Sequence, residues 1–161
     1  MAVVDVQQDL DNNQLTMISD FAAPVERVWQ VWSDPRQLEQ WWGPPGYPAA
    51  VTEHDLTAGG KVRYFMTSPE GVKHHGWWEV LAAEAPHSLE LRDGFGDKDG
   101  NPTEAMPVSV TQVELTEHEG GTRMTSTTTY ASADQFKQVL EMGMVEGSTQ
   151  AANQIDALLA A

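Results

Sequence analysis

From residue 49 to 131 the chain repeats one pattern: stretches of alternating apolar and polar residues, each closed by a short run rich in glycine, proline or acidic residues. The stretches fall at about 49–56, 60–68, 73–83, 88–95, 108–117 and 122–131, and the separators include Ala58-Gly59-Gly60, Pro69-Glu70-Gly71, Glu84-Ala85-Pro86 and Glu119-Gly120-Gly121. Alternation with period two places one face of each stretch in a core and the other in water. Connections this short join antiparallel neighbours, because a parallel pair needs a crossover of about a dozen residues or more. The pattern therefore predicts a six-stranded antiparallel meander. Its one longer loop, 96–107, is polar and expected to be mobile.

The flanks differ in period. Leu15, Met17 and Phe21 make a first strand over 14–21, and residues 1–13 are expected to be a flexible leader before a single domain over 14–161. Pro24 suits the first helical position, and Val25, Val28, Trp29 and Trp32 then recur at helical spacing until Ser33-Asp34-Pro35 interrupts. A second short helix follows, with Asp34 as cap, Pro35 at its start and Gln37 reaching back; Trp41-Trp42-Gly43-Pro44-Pro45-Gly46 ends it. At the other end Ser132-Ala133-Asp134-Gln135 is a capping box, opening a long helix to about Leu159. Phe136, Leu140, Gly143, Met144, Gly147, Ala151, Ile155 and Leu158 form its apolar stripe. The small residues Gly147 and Ala151 favour close contact with the sheet over space left for a ligand. Met142 and Val145 lie off the stripe, which leaves packing on the N-terminal helices or a homodimer contact open.

One hairpin can be read to the residue. Face matching places Tyr64 opposite Trp78, Val62 opposite Val80, Phe65 opposite Trp77 and Arg63 opposite Glu79. Phe65 and Trp77 then share the outer face, as a surface cluster or a self-association patch.

Charge narrows the partners. Nine basic residues against 24 acidic ones give a net charge of -15. Such a surface repels phosphate backbones and anionic headgroups, so nucleic acid and membrane are not expected as partners. The first residues lack the basic start and apolar core of a signal peptide, and the expected location is the cytoplasm. Cysteine is absent, which removes disulfides, thiolate catalysis and cysteine-ligated metals.

The five histidines, His54, His74, His75, His87 and His118, form no HExxH pair, and His74 and His75 point to opposite faces of one strand, so no metal site is expected. His74 shares a face with Tyr64 and Trp78, making it the general-base candidate, with Tyr64 or Asp93 as acid or orienting group. Asp97, Asp99 and Asn101 begin like a calcium loop, but Pro102 and Val108 stand where that loop needs Gly and Glu. Phosphate-loop, dinucleotide and nucleophile-elbow motifs are missing, and no cofactor is expected. The residues weigh against catalysis.

The order strand, two short helices, six-stranded meander, long helix is that of the helix-grip fold. The segments Phe21-Ala22-Ala23-Pro24-Val25-Glu26-Arg27-Val28-Trp29, Leu38-Glu39-Gln40-Trp41-Trp42-Gly43-Pro44, Ala58-Gly59-Gly60-Lys61-Val62-Arg63, Ser68-Pro69-Glu70-Gly71 and Met142-Gly143-Met144-Val145-Glu146-Gly147 resemble the SRPBCC (START-like) superfamily. Within it the chain is most similar to the family named for activators of the heat-shock-protein ATPase. The resemblance implies an α+β fold in which a seven-stranded antiparallel sheet wraps around the C-terminal helix, with a cavity between them that often holds an apolar small molecule. Trp42, Tyr64, Met66, Trp78, Met124, Phe136, Leu140 and Met144 are the expected lining. The expected function is binding of a small hydrophobic or aromatic ligand. A cyclase or hydrolase using the same cavity and a chaperone-associated interaction protein are the alternatives.

Overall fold

The computed structural model describes residues 2–160. Eight antiparallel strands form one sheet in the order β1-β2-β8-β7-β6-β5-β4-β3. Six of them, β3 (Ala49–His54), β4 (Lys61–Thr67), β5 (Lys73–Glu84), β6 (Ser88–Phe95), β7 (Ser109–His118) and β8 (Gly121–Tyr130), are the meander, each within two residues of its expected ends. β2 (Gln14–Phe21) alternates as its sequence requires, with Leu15, Met17, Ser19 and Phe21 buried.

The eighth strand corrects the expected seven. β1 (Val3–Asp9) occupies most of the stretch read as a flexible leader and pairs with β2, Val6 lying opposite Met17. The Val3 N–H donates to Asn153 Oδ1 at 3.0 Å, tying the strand to the far end of the chain. A register shift between Val3 and Asp5 breaks the period-two signal, and Val4 is 53 % exposed, so the apolar alternation is too interrupted to read.

Helix α1 (Val25–Ser33) buries Val25, Val28, Val31 and Trp32, and α2 (Pro35–Trp41) buries Leu38 and Trp41. Asp34 caps α2 by accepting from the Arg36 N–H at 2.9 Å, and the Gln37 amide donates to its carboxylate at 3.0 Å. The expected long C-terminal helix is three helices: α3 (Ala133–Glu141), α4 (Met144–Asn153) and α5 (Ile155–Ala160). The first break falls at Gly143, whose φ of 83° is left-handed and favours glycine. α3 lies against β8, while α4 makes its contacts with α2 and β1. Off the stripe, Met142 is 52 % exposed, and Val145 packs with the cluster around Leu15 and Tyr130. Only half of the capping box at α3 forms: Ser132 Oγ accepts from the Gln135 N–H at 3.1 Å, but Gln135 Oε1 has no hydrogen-bond partner among the described residues. Ser132→Ala should therefore lower stability by about 1 kcal/mol, read as a shift of the urea midpoint at unchanged slope.

The β4–β5 register is two residues from the expected one. Val62 faces Trp78, Arg63 faces Trp77 and Tyr64 faces Gly76. Both registers keep the same residues on the inner face, so alternation alone does not separate them. Space does: a Cβ at position 76 would overlap the Tyr64 ring. Arg63 accordingly pairs with Glu53 at 3.3 Å, and Glu79 meets Arg92 at 3.7 Å. On the outer face Trp77 is covered, 8 % exposed, with the Arg92 guanidinium 5.6 Å from its ring and its indole N–H donating to the Phe95 carbonyl at 2.9 Å. Phe65 lies under the Lys73 ammonium at 4.6 Å. The outer pair is thus a surface cluster capped by cations. In the 96–107 loop the Asp97 carboxylate accepts the backbone N–H groups of Asp99 and Asn101, both at 2.9 Å, the work of a turn residue.

Candidate functional site

A cavity of about 290 Å³ lies between the inner face of the sheet and helices α2 and α4. Register builds its floor. One row crosses β4 to β8: Val62 and Trp78 lie in the core, and Asp93, Ser109 and Tyr130, which continue the row, border the cavity. Val80, Leu91, Thr111, Thr128 and Leu15 make the next row, from β5 to β2. The helical side is built by the end of α2, which delivers Trp41 and Trp42, and by Met144, Ser148 and Ala151 of α4. The Gln154 side-chain amide clamps these walls together, donating to the carbonyls of Trp41 at 3.2 Å and Gly43 at 2.7 Å.

Of the expected lining, Trp42, Tyr64, Met66, Met124 and Met144 face the cavity. Trp78, Phe136 and Leu140 do not. Trp78 is 1 % exposed and sits against Trp42, ring centroids 4.8 Å apart, as part of the core. Phe136 stacks on Tyr130 at 5.3 Å, and Leu140 packs into the same second cluster with Leu15 and Val139. Both residues belong to α3, which lies against β8; Val139 of the same helix reaches the cavity. Gly147 also departs from expectation: a Cβ there would meet only Pro44, at 3.8 Å, so this glycine borders open space and makes no close contact with the sheet.

The three residues weighed for catalysis separate. Tyr64 and Asp93 come together, the phenol O–H donating to Asp93 Oδ1 over a long 3.5 Å. His74 is exposed at the cavity edge, opposite Met66 and 6.3 Å from the Tyr47 ring, with no hydrogen bond to Tyr64 or Asp93.

Burial governs the polar chemistry. It pushes the Asp93 carboxyl up from 3.8 to about 7, against the smaller opposing effect of the Tyr64 hydrogen bond. Burial also raises the Tyr64 phenol well above its usual range, helped by the Asp93 charge, and Tyr130 moves the same way for the same two reasons. The indole N–H groups of Trp42 and Trp78 lie close enough to the Tyr64 oxygen to oppose that rise, without reaching hydrogen-bond geometry.

The sequence reading missed a wall of hydroxyls: Ser109, Thr111, Ser126 and Thr128 line the cavity, with Thr111 and Thr128 hydrogen-bonded at 3.0 Å. The signal was present in β8, where Met124, Ser126, Thr128 and Tyr130 share one parity. Among the described residues no group of three His, Asp or Glu is placed to hold a metal ion. No described helix is long and apolar enough to cross a membrane.

Comparison with known proteins places this geometry. The sequence profile described as Activator of Hsp90 ATPase homolog 1-like protein matches residues 22–160. A Mycobacterium smegmatis protein of known crystal structure is 55 % identical over 98 % of this chain and 96 % of its own, with a TM-score of 0.90. An Arthrobacter aurescens protein solved in solution is 46 % identical over 98 % of this chain and 92 % of its own, with a TM-score of 0.94. A Rhodobacter sphaeroides protein at 24 % identity, covering 97 % of each chain, shares the fold with a TM-score of 0.82. No curated protein matches the sequence. With the helix-grip architecture on the page and the profile covering most of its length, the chain belongs to the Activator of Hsp90 ATPase homolog 1-like family of the START-like superfamily.

Proposed function

We propose that the protein binds a small apolar or aromatic molecule between sheet and helices. The observation behind this reading is a cavity of about 290 Å³ walled by tryptophan, tyrosine and methionine. A dry cavity of about 150 Å³ holds a benzene ring, so the space here suits a bicyclic body. Flat aromatic and flexible methionine side chains adapt to such a body without fixing its identity. Titration with N-phenyl-1-naphthylamine, followed by dye emission and tryptophan quenching, tests the reading. Saturable binding is expected, and Thr128→Phe, which puts a ring into the space, should weaken it at least tenfold while leaving the far-UV spectrum unchanged. Equal affinity in the variant would place the dye elsewhere and defeat the assignment.

A second reading, an enzyme of cyclase or hydrolase type in the same cavity, is favoured by the Tyr64–Asp93 pair, since a carboxyl near neutrality can give or take a proton. A role at a chaperone, the subject of the family's description, is a third reading, which no feature of this cavity favours.

A further inference from the structure

The geometry points to a ligand that carries a protonated amine, its ammonium group meeting Asp93 and its apolar body filling the space toward Met124 and Met144. This rests on the reading of the cavity as a ligand site and adds the chemistry of the polar end.

Asp93 occupies the centre of the floor row, between Trp78 and Ser109, and borders the cavity directly. It is the only Asp or Glu among the described residues that does so. Its one hydrogen bond is the long one from Tyr64, and among the described residues no Lys, Arg or His lies within ion-pair distance of it. The other titratable groups lining the cavity are the phenols Tyr64 and Tyr130, both held neutral by burial, and His74 and His75 of β5, neither of which is within ion-pair distance of Asp93. A half-buried carboxylate withdrawn from bulk water and left without a cation is costly, and a cation supplied by a ligand relieves that cost where the protein does not. Trp42, Tyr64, Phe95 and Tyr130 line the same space, and aromatic rings around a cation are the second feature that favours an ammonium group. An anionic ligand meets the reverse: a second carboxylate beside Asp93, inside a protein of net charge -15. A cation bound beside Asp93 would favour the ionised form that desolvation disfavours.

Three probes of one size test this: 1-naphthylmethylamine, 1-naphthylmethanol and 1-naphthoic acid, titrated calorimetrically at pH 8 into the wild-type protein and Asp93→Asn. The amine should bind the wild type at least tenfold tighter than the alcohol, and the acid more weakly than either. In Asp93→Asn the amine-to-alcohol ratio should fall to about one. Repeating the wild-type series in 0.5 M NaCl separates Asp93 from the surface charge and does not depend on the variant folding, because salt screens exposed charges far more than a buried pair. The preference should persist in salt. A preference that vanishes in salt, survives Asp93→Asn or is absent from the outset overturns the amine assignment alone. Failure of all three probes to bind overturns the cavity reading and this one with it.

Discussion

Trp78→Ala is expected to cost about 3–5 kcal/mol of folding stability, a fall in Tm of roughly 10–15 °C for a chain of this size. Trp78 is 1 % exposed and sits among Trp32 at 5.9 Å, Trp42 at 4.8 Å and Tyr64 at 6.2 Å, so truncation opens a void that four-element packing cannot close. The loss should also alter the cavity indirectly, because Trp42 and Tyr64 lean on this ring. Trp78→Phe isolates the packing component. The indole N–H of Trp78 has no well-formed hydrogen bond to lose, whereas Trp41 donates to the Val31 carbonyl at 2.9 Å. Trp78→Phe should thus be the milder of the two Phe variants in thermal denaturation. The opposite ranking would show that the Trp78 N–H is satisfied in solution.

Asp93→Asn is expected to stabilise the protein, with a dependence on pH that identifies the cause. Folding lifts the Asp93 carboxyl from 3.8 to about 7, so the native state holds its proton more tightly than the unfolded chain. Wild-type stability from this group is fully present below the unfolded value, declines as pH rises between the two values and is gone above the folded one. A shift of this size corresponds to an upper figure of about 4 kcal/mol. The advantage of Asp93→Asn should therefore be small near pH 4, grow through pH 5 and 6, and level off above pH 7. Urea midpoints across that range read it directly. A difference that stays flat with pH would show that Asp93 is solvated in the native protein.

The strands were legible because alternation and turn residues both survive in the sequence, and β6 matches its expected limits residue for residue. Register was less so. Parity assigned Tyr64 to the inner face correctly, but a slip of two residues conserves parity, and only the missing side chain at Gly76 distinguishes the registers. Gly143 posed a similar problem: on a helical wheel it reads as a small residue in an apolar stripe, and its left-handed φ belongs to the backbone path. Phe136 and Leu140 lie before that break, in α3, and pack with Leu15 and Tyr130 instead of lining the cavity. For the site, aromatic and methionine residues stood out, while the inward hydroxyls of β7 and β8 looked like ordinary polar strand positions. Asp93 is legible as an acid or orienting group; that it stands without a cation emerges only when five strands are laid side by side.

The same break at Gly143 determines where the cavity's volume comes from. A straight helix would carry the stripe of α3 onward along β8, where Phe136 already packs on Tyr130, and narrow the gap. Instead α4 departs toward α2 and is fastened there by Gln154. The room is therefore a property of the chain's path, created before any lining side chain is chosen. Substitutions at Met66, Met124, Thr128 or Met144 can reshape what fits inside without abolishing the space, so two proteins that share this bend can share a container and differ entirely in its contents.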